Sequence, residues 1–480
     1  MKDKFSYVKK EDRKKILLLA DDIRLHSGVA TMAREIVVGT AHHFNWVQLG
    51  GAVTHPDEGK GFDLSAEVNQ HAGISDASVI LFATSGYGTT EKVRELIQKE
   101  KPDAVLHFTD PRYWTWLYDI EREIRQHIPL LYLNIWDDYP TPLYNRSYYE
   151  CCDLLMGISK QTVNINKMVL GEKVEGKTIT YVPHGINEEQ FYPITTPEKL
   201  EQLQLIRESM FEGKEIDFVV FWNSRNIRRK SPGDVILSYK HFCDLIGKEK
   251  AKKCALVMHT QPVDQNGTDL IAVREAICDP EYVNVFFSSN RLSTEQLNAL
   301  YNIADVTMLI SSNEGWGLSL TESMMAGTMI IANVTGGMQD QMRFVDENGK
   351  WYTPSPEVPS NHMKRYLRHG QWAVPVFPSN ISLVGSVPTP YIFDDRCDFR
   401  DIAGAIREVY DMSPRERSLR GMAGHEWVTS DESGMSARKM CENVITSIEE
   451  CFENFTPRSR FDLTKVETLP PNRVKHVLTY

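Results

Sequence analysis

Two carboxylates eight residues apart flank a glycine turn in Ser311-Ser312-Asn313-Glu314-Gly315-Trp316-Gly317-Leu318-Ser319-Leu320-Thr321-Glu322. The glycines let backbone N–H groups come close to a ligand. A helix read from about Gly317 offers its free N–H groups and its dipole to an anion. Glu314, just before the turn, can accept hydrogen bonds from hydroxyls, and Glu322, on the helix, can point back to the same place. This set suits a ligand with a phosphate centre and hydroxyls at both ends; a tight turn carrying two surface glutamates is the plain alternative. A second run, Asn223-Ser224-Arg225-Asn226-Ile227-Arg228-Arg229-Lys230, places four cations in six residues behind a strand end. A diphosphate needs positive charge on long side chains, and arginine can chelate two of its oxygens. A solvated basic loop is the alternative there.

The elements that must hold these residues alternate. Lys15 to Asp21 reads as a short buried strand, Ser27-Gly28 as a turn, and Val29 to Val38 as an amphipathic helix. Apolar strands recur at 78–83, 103–108, 130–135, 153–158 and 178–182, with helical stretches between. A polar, proline-containing connection follows, and the alternation restarts at 217–222, 254–259, 283–287, 306–310 and 329–332. Strands alternating with helices argue for parallel sheets covered on both faces, here in two doubly wound α/β halves. Ligands bind beyond the strand C-termini of such sheets, where both motifs lie. Residues 351–395 are rich in Pro, Trp and Tyr, lack either period, and read as a long irregular insertion of the kind that often carries function. Met440, Val444, Ile448 and Cys451 predict a helix near the end.

Composition narrows the classes. The chain has 480 residues, 41% of them hydrophobic and 25% charged, which is ordinary for a globular protein. No apolar run reaches the ~20 residues of a membrane span. The first apolar segment lies between lysines and aspartates, unlike a secretory leader. The net charge of −11 argues against non-specific nucleic-acid binding. Eight cysteines without a Cys-x-x-Cys pair fit buried thiols in a reducing compartment, so the cytoplasm is the expected location.

Together the motifs resemble the retaining GT-B glycosyltransferases, family 4-like. The Glu-x7-Glu pattern of that group matches Glu314 and Glu322, and its Arg with a Lys five residues on matches Arg225 and Lys230. Ser27-Gly28, Pro183-His184-Gly185-Ile186-Asn187, Asn302-Ile303-Ala304-Asp305 and Gly336-Gly337 follow in the family's order. The resemblance covers about residues 14–345 and a C-terminal helix. It implies two Rossmann-like domains facing a cleft: an acceptor-side domain over 1–195, a linker over 196–215, a nucleotide-sugar domain over 216–430 with the 351–395 insertion, and a helix and tail over 431–480 returning to the first domain. It also implies roles. Arg225 and Lys230 would neutralise the leaving diphosphate, Glu314 would hold sugar hydroxyls, and Glu322 the ribose. Gly28, Gly315, Trp316, Gly317 and Leu318 would cradle the donor, and the Leu292 region would meet the base. The diphosphate oxygen would take the acceptor proton on the same face, with no metal and no cofactor other than the nucleotide-sugar substrate.

The family often has a histidine at the reacting centre; the candidates here are His107 and Asp110, with the register open. Where a second histidine is frequent the chain has Asp137 and Asp138, which with Trp114 are candidates for the acceptor side. Asp340 stands where the family more often has Glu. Two other functions compete. One is glycosylation of a hydroxymethylated nucleic-acid base, with Arg112-Tyr113-Trp114-Thr115-Trp116 and the insertion lining the site. The other is a non-catalytic nucleotide-sugar-binding or assembly protein on the same scaffold. A dinucleotide oxidoreductase lacks its Gly-x-Gly-x-x-Gly. Donor base, sugar, acceptor and oligomeric state are not legible.

Overall fold

The computed structural model describes residues 7–459. Its strands, in chain order, are β1 (Lys14–Asp21), β2 (Phe44–Ala52), β3 (Gly61–Asp63), β4 (Val79–Ser85), β5 (Ala104–Phe108), β6 (Leu130–Asn134), β7 (Leu154–Gly157), β8 (Thr178–Tyr181), β9 (Phe218–Asn223), β10 (Cys254–His259), β11 (Asn284–Ser288), β12 (Val306–Leu309), β13 (Met329–Asn333), β14 (Ala373–Val376), β15 (Asn380–Ser386) and β16 (Thr389–Arg396). They build an eight-stranded sheet in the order β3-β4-β2-β1-β5-β6-β7-β8 and a six-stranded sheet in the order β11-β10-β9-β12-β13-β14. Apart from β3 on β4, all pairings within the two sheets are parallel. Helices cover both faces, so central strands such as Ile16–Leu19 and Val306–Leu309 are buried along their whole length.

The stretch 196–215, expected as a polar linker, contains a helix, Pro197–Met210, with proline in its first turn. Leu203 and Met210, seven residues apart, pack on the core, next to the helix Thr294–Ile303. Just before it, the Tyr192 and Ile194 N–H groups donate to the side chains of Asn298 and Asn302 on that helix.

The expected irregular insertion is more ordered than its composition suggests. Its residues 373–376 form β14, the edge strand of the second sheet, where Pro375 costs little because one side of the strand is unpaired. Residues 380–396 form the antiparallel hairpin β15–β16. The hairpin bridges the domains: the Asp395 N–H donates to the Ser312 carbonyl at 3.0 Å, the Phe393 N–H to the Tyr139 carbonyl at 2.7 Å and the Tyr144 hydroxyl to the Tyr391 carbonyl at 2.9 Å.

The helix Ala437–Asn454 crosses back as expected. Met440, Val444, Ile448 and Cys451 are buried. Cys441 Sγ reaches the Glu35 carbonyl, Ser447 Oγ the Thr180 hydroxyl at 2.8 Å, and Glu449 the His43 ring at 2.8 Å, all on the first domain. The part of the returning segment from residue 460 lies outside the described residues. Among the described residues no helix is long and apolar enough to cross a membrane.

Candidate active site

Between the two sheets lies a cleft of about 640 Å³. One wall is the start of the helix Gly28–Thr40. Ser27 caps it, its Oγ accepting from the Ala30 N–H at 3.0 Å and donating to Asp21 at 2.5 Å. Opposite stands the turn Gly315–Gly317 with the helix Leu318–Met325 behind it. A Cβ on Gly28 would stand 3.4 Å from the Leu318 side chain, so two helix starts, one from each domain, face each other. Gly315 passes so near the first domain that a Cβ would lie 2.7 Å from the Ile135 carbonyl oxygen. Gly336, at φ +52°, supports the turn from behind, and a Cβ there would overlap the Glu314 carbonyl.

The centre of the cleft is an ion triad. Glu314 is 6% exposed; its carboxylate accepts from Lys230 Nζ in a short contact and from Arg229 at 3.3 Å. Arg229 also donates to the Asn313 carbonyl at 2.9 Å. Burial alone would raise the Glu314 carboxyl, but Lys230 and Arg229 outweigh it and hold the group below the usual carboxylate range. Arg229 was legible only as one member of a basic run. The structure gives it the position in the cleft expected of Arg225, whose side chain is 66% exposed and reaches Asp264 at 3.3 Å.

Glu322 is on the same helix as Leu318 but turned into the protein, where the Tyr301 hydroxyl donates to it at 2.5 Å. Burial pushes its carboxyl up to about 7. Leu292 lines a separate hollow of about 580 Å³ beside β11, with Phe286 and Phe287.

From the first domain the cleft receives Asp110, Arg112, Trp136, Asp137, Asp138 and His184. Burial raises Asp137 to about 6, against the pull of Arg229, and burial with the charge of Asp137 holds Asp138 well above the usual range. Asp110 is gripped by Arg112, whose other end donates to Thr389 on the hairpin at 2.5 Å.

Like Arg225, Glu322 and Leu292, the side chains of His107 and Trp114 do not line the cleft as expected. His107 points into the core, stacked on Tyr132 with ring centroids 4.4 Å apart, its Nε2 2.9 Å from the Tyr118 hydroxyl. Burial lowers it to about 3. Residue 107 lies one position before the strand's end and alternates inward, so strand parity decides against it. Trp114 is fully buried, edge-on to His107 and Tyr87. The histidine of the cleft is instead His184, just beyond β8. It is buried, edge-on to Trp316 at 6.4 Å, and lowered to about 3 by burial. Its place in the Pro-His-Gly-Ile-Asn stretch, directly after a strand, was the signal that could have found it. Among the described residues no group of three or more His, Cys, Asp or Glu side chains could hold a metal ion.

Residues 282–369 match the family described as glycosyl transferases group 1. Over 192 residues the chain is 24% identical to mannosylfructose-phosphate synthase of Agrobacterium fabrum; the match spans 40% of this chain and 39% of that relative's length. Among solved structures it is similar to sucrose-phosphate synthase from Thermosynechococcus elongatus, with a TM-score of 0.63 and 15% identity over 92% of this chain and 100% of that one. It is also similar to an Anabaena protein crystallised with UDP and glucose, with a TM-score of 0.61 and 11% identity over 91% and 100% of the two chains. At such identities the likeness shows the fold, which is GT-B.

Proposed function

We propose, from the premise that this GT-B chain carries the group 1 glycosyltransferase pattern over β11 to β13, that it moves a sugar from a nucleotide-sugar donor to a hydroxyl acceptor with retention of configuration. The observation that carries the reading is the Glu314 carboxylate, buried under Lys230 and Arg229 where two helix starts converge. In glycosyl transfer, charge builds on the departing diphosphate. Lys230, Arg229 and the start of the helix Leu318–Met325 supply the charge and dipole that stabilise it. When the diphosphate engages the cations, Glu314 is released from them and can accept hydrogen bonds from the donor sugar. Arg225 is held only by an exposed contact, which is worth little, and turns inward as a further cation. The diphosphate oxygen then takes the acceptor proton on the face it leaves. These groups supply the positive charge, so no divalent ion is required. The UDP held by the Anabaena structure makes UDP-sugars the first donors to try.

Thermal stabilisation by a panel of nucleoside diphosphates and nucleotide sugars tests this. A ligand at 100 times its dissociation constant adds about 2.7 kcal/mol. One base should shift the melting temperature strongly in wild type and much less in Lys230→Ala. A chain that no nucleotide stabilises would not be a nucleotide-sugar enzyme.

A further inference from the structure

Beside the ion triad, the first domain lines the cleft with carboxyl groups. Asp110, Asp137 and Asp138 face it from the first domain, and the hairpin β15–β16 closes it with Thr389 and Ile392. Among the described residues the basic side chains at the cleft are Arg112, Arg229 and, against Glu314, Lys230, and all three are engaged. Arg112 grips Asp110 through contacts of 2.9, 3.1 and 2.5 Å, and Arg229 is held by Glu314 and the Asn313 carbonyl.

From these contacts we infer that the acceptor bears no phosphate or carboxylate: it is an uncharged or amine-bearing polyhydroxy compound, received between Asp110, Asp137 and Asp138 and the hairpin. The inference rests on the glycosyl-transfer reading and names the substrate class of the same site. An anionic acceptor would either tear Asp110 from Arg112 or lie against Asp137 and Asp138, where its charge loses water and meets no free cation. Hydroxyls and ammonium groups meet no such barrier, because carboxylates accept their hydrogen bonds.

His184 is an independent sign of what binds. It lines the cleft and is 6% exposed, and its Nδ1 has no hydrogen-bond partner among the described residues. Burial keeps its ring neutral, so it offers a hydrogen bond to a hydroxyl and no charge to an anion. The hairpin adds a fixed wall, tied to the first domain through Tyr139 and Tyr144.

The experiment uses the full chain saturated with whichever nucleoside diphosphate stabilises it. Inorganic phosphate in the millimolar range is then added and the melting temperature read again. No further shift is expected in wild type. A shift appears in Asp110→Asn, where Arg112 is left without its carboxylate. A phosphate shift in wild type overturns the inference, and so does an Asp110→Asn chain that gains none. Transfer is then measured on matched acceptors: glucose against glucose 6-phosphate, fructose against fructose 6-phosphate, glucosamine, and an oligonucleotide carrying hydroxymethylcytosine. The unphosphorylated member of each pair should react at least ~10-fold faster, the factor that separates a 1.4 kcal/mol difference. Preference for a sugar phosphate, or turnover on the oligonucleotide, overturns it. A chain that no nucleotide stabilises fails earlier, at the donor half; one that takes nucleotide and prefers phosphate fails only here.

Discussion

At the scale of single residues, the ion triad and the half-buried Glu322 make opposite demands on charge. Glu314 is ionised between two cations, so Glu314→Ala takes from the largely buried Lys230 its ion-pair partner. Breaking such a pair typically costs about 3–5 kcal/mol, visible as a lowered melting temperature. The same change frees both cations for a diphosphate, so turnover should fall while binding of the bare nucleoside diphosphate stays or tightens; lost nucleotide binding in a folded variant would move the diphosphate elsewhere. Lys230→Ala should lower turnover by ~100-fold or more, the loss expected when a group that stabilises developing charge is removed. Arg225→Ala should lower it at least ~10-fold with an unchanged melting temperature, and unchanged turnover would leave neutralisation to Lys230 and Arg229 alone. Glu322 behaves differently. Its folded value, about 7, lies above its ordinary 4.5, so the folded state binds its proton more tightly than the unfolded chain does. That contribution is complete below about pH 4.5 and is lost as the pH rises through 7. Glu322→Gln, which cannot ionise, should therefore match wild type near pH 5 and exceed it at pH 8 by up to about 3 kcal/mol, at 1.36 kcal/mol per pH unit. Denaturant midpoints at the two pH values check this; a difference independent of pH would mean that Glu322 does not titrate on folding. Residue types and spacing disclosed Glu314, Lys230 and the glycine turn, because their chemistry is local. They did not separate Arg225 from Arg229 or His107 from His184, because which side of a strand or loop a side chain leaves by is fixed by packing from other parts of the chain.

Among the elements, most parallel strands were legible because their apolar runs are short and bounded by turn residues, as in Val306–Leu309 between Asp305 and Ser311; β2 was not, because Asn45, Gln48, Gly50 and Gly51 break up its apolar run. β14 and β16 were not, because each contains a proline and lies outside a sheet centre, where no ladder enforces alternation. The helix Pro197–Met210 was missed because it is mostly polar and only Leu203 and Met210 pack on the core. The loop after β13 braces the turn Gly315–Gly317 through Gly336 and Gly337. Gly336→Ala puts a methyl group on the Glu314 carbonyl and forces an L-residue to φ +52°. A stability loss of about 1–3 kcal/mol is expected, together with loss of nucleotide stabilisation; an active variant with wild-type stability would show that the turn is not braced there.

On the scale of the whole molecule, the two sheets are joined by more than the segment between them. The Lys160 backbone N–H, at the start of a first-domain helix, donates to Asp340 of the second domain at 2.8 Å, and Lys160 Nζ stands over the Trp351 ring. The hairpin makes a further bridge beside Asp110 and Arg112, and the helix Ala437–Asn454 a third. Removing everything after Ser430 uncovers the faces on which Met440, Val444 and Ile448 pack. At about 1.5–3 kcal/mol for each buried side chain, that is enough to unfold an ordinary domain. Limited proteolysis should then cut the first domain of the shortened chain rapidly; a resistant first domain would show that the helix is dispensable.

The crossing helix also bears on how the chain is made. Synthesis runs from the N-terminus and domains fold as they emerge, yet the surface of β7 and β8 and of the helix Gly28–Thr40 is covered by a segment made after the entire second domain. The part synthesised first is thus finished last. While the second domain is being translated, the first waits with an apolar strip open to water, a natural target for chaperones that hold nascent chains. A ribosome stalled short of Ala437 would leave that strip exposed for as long as the stall lasts.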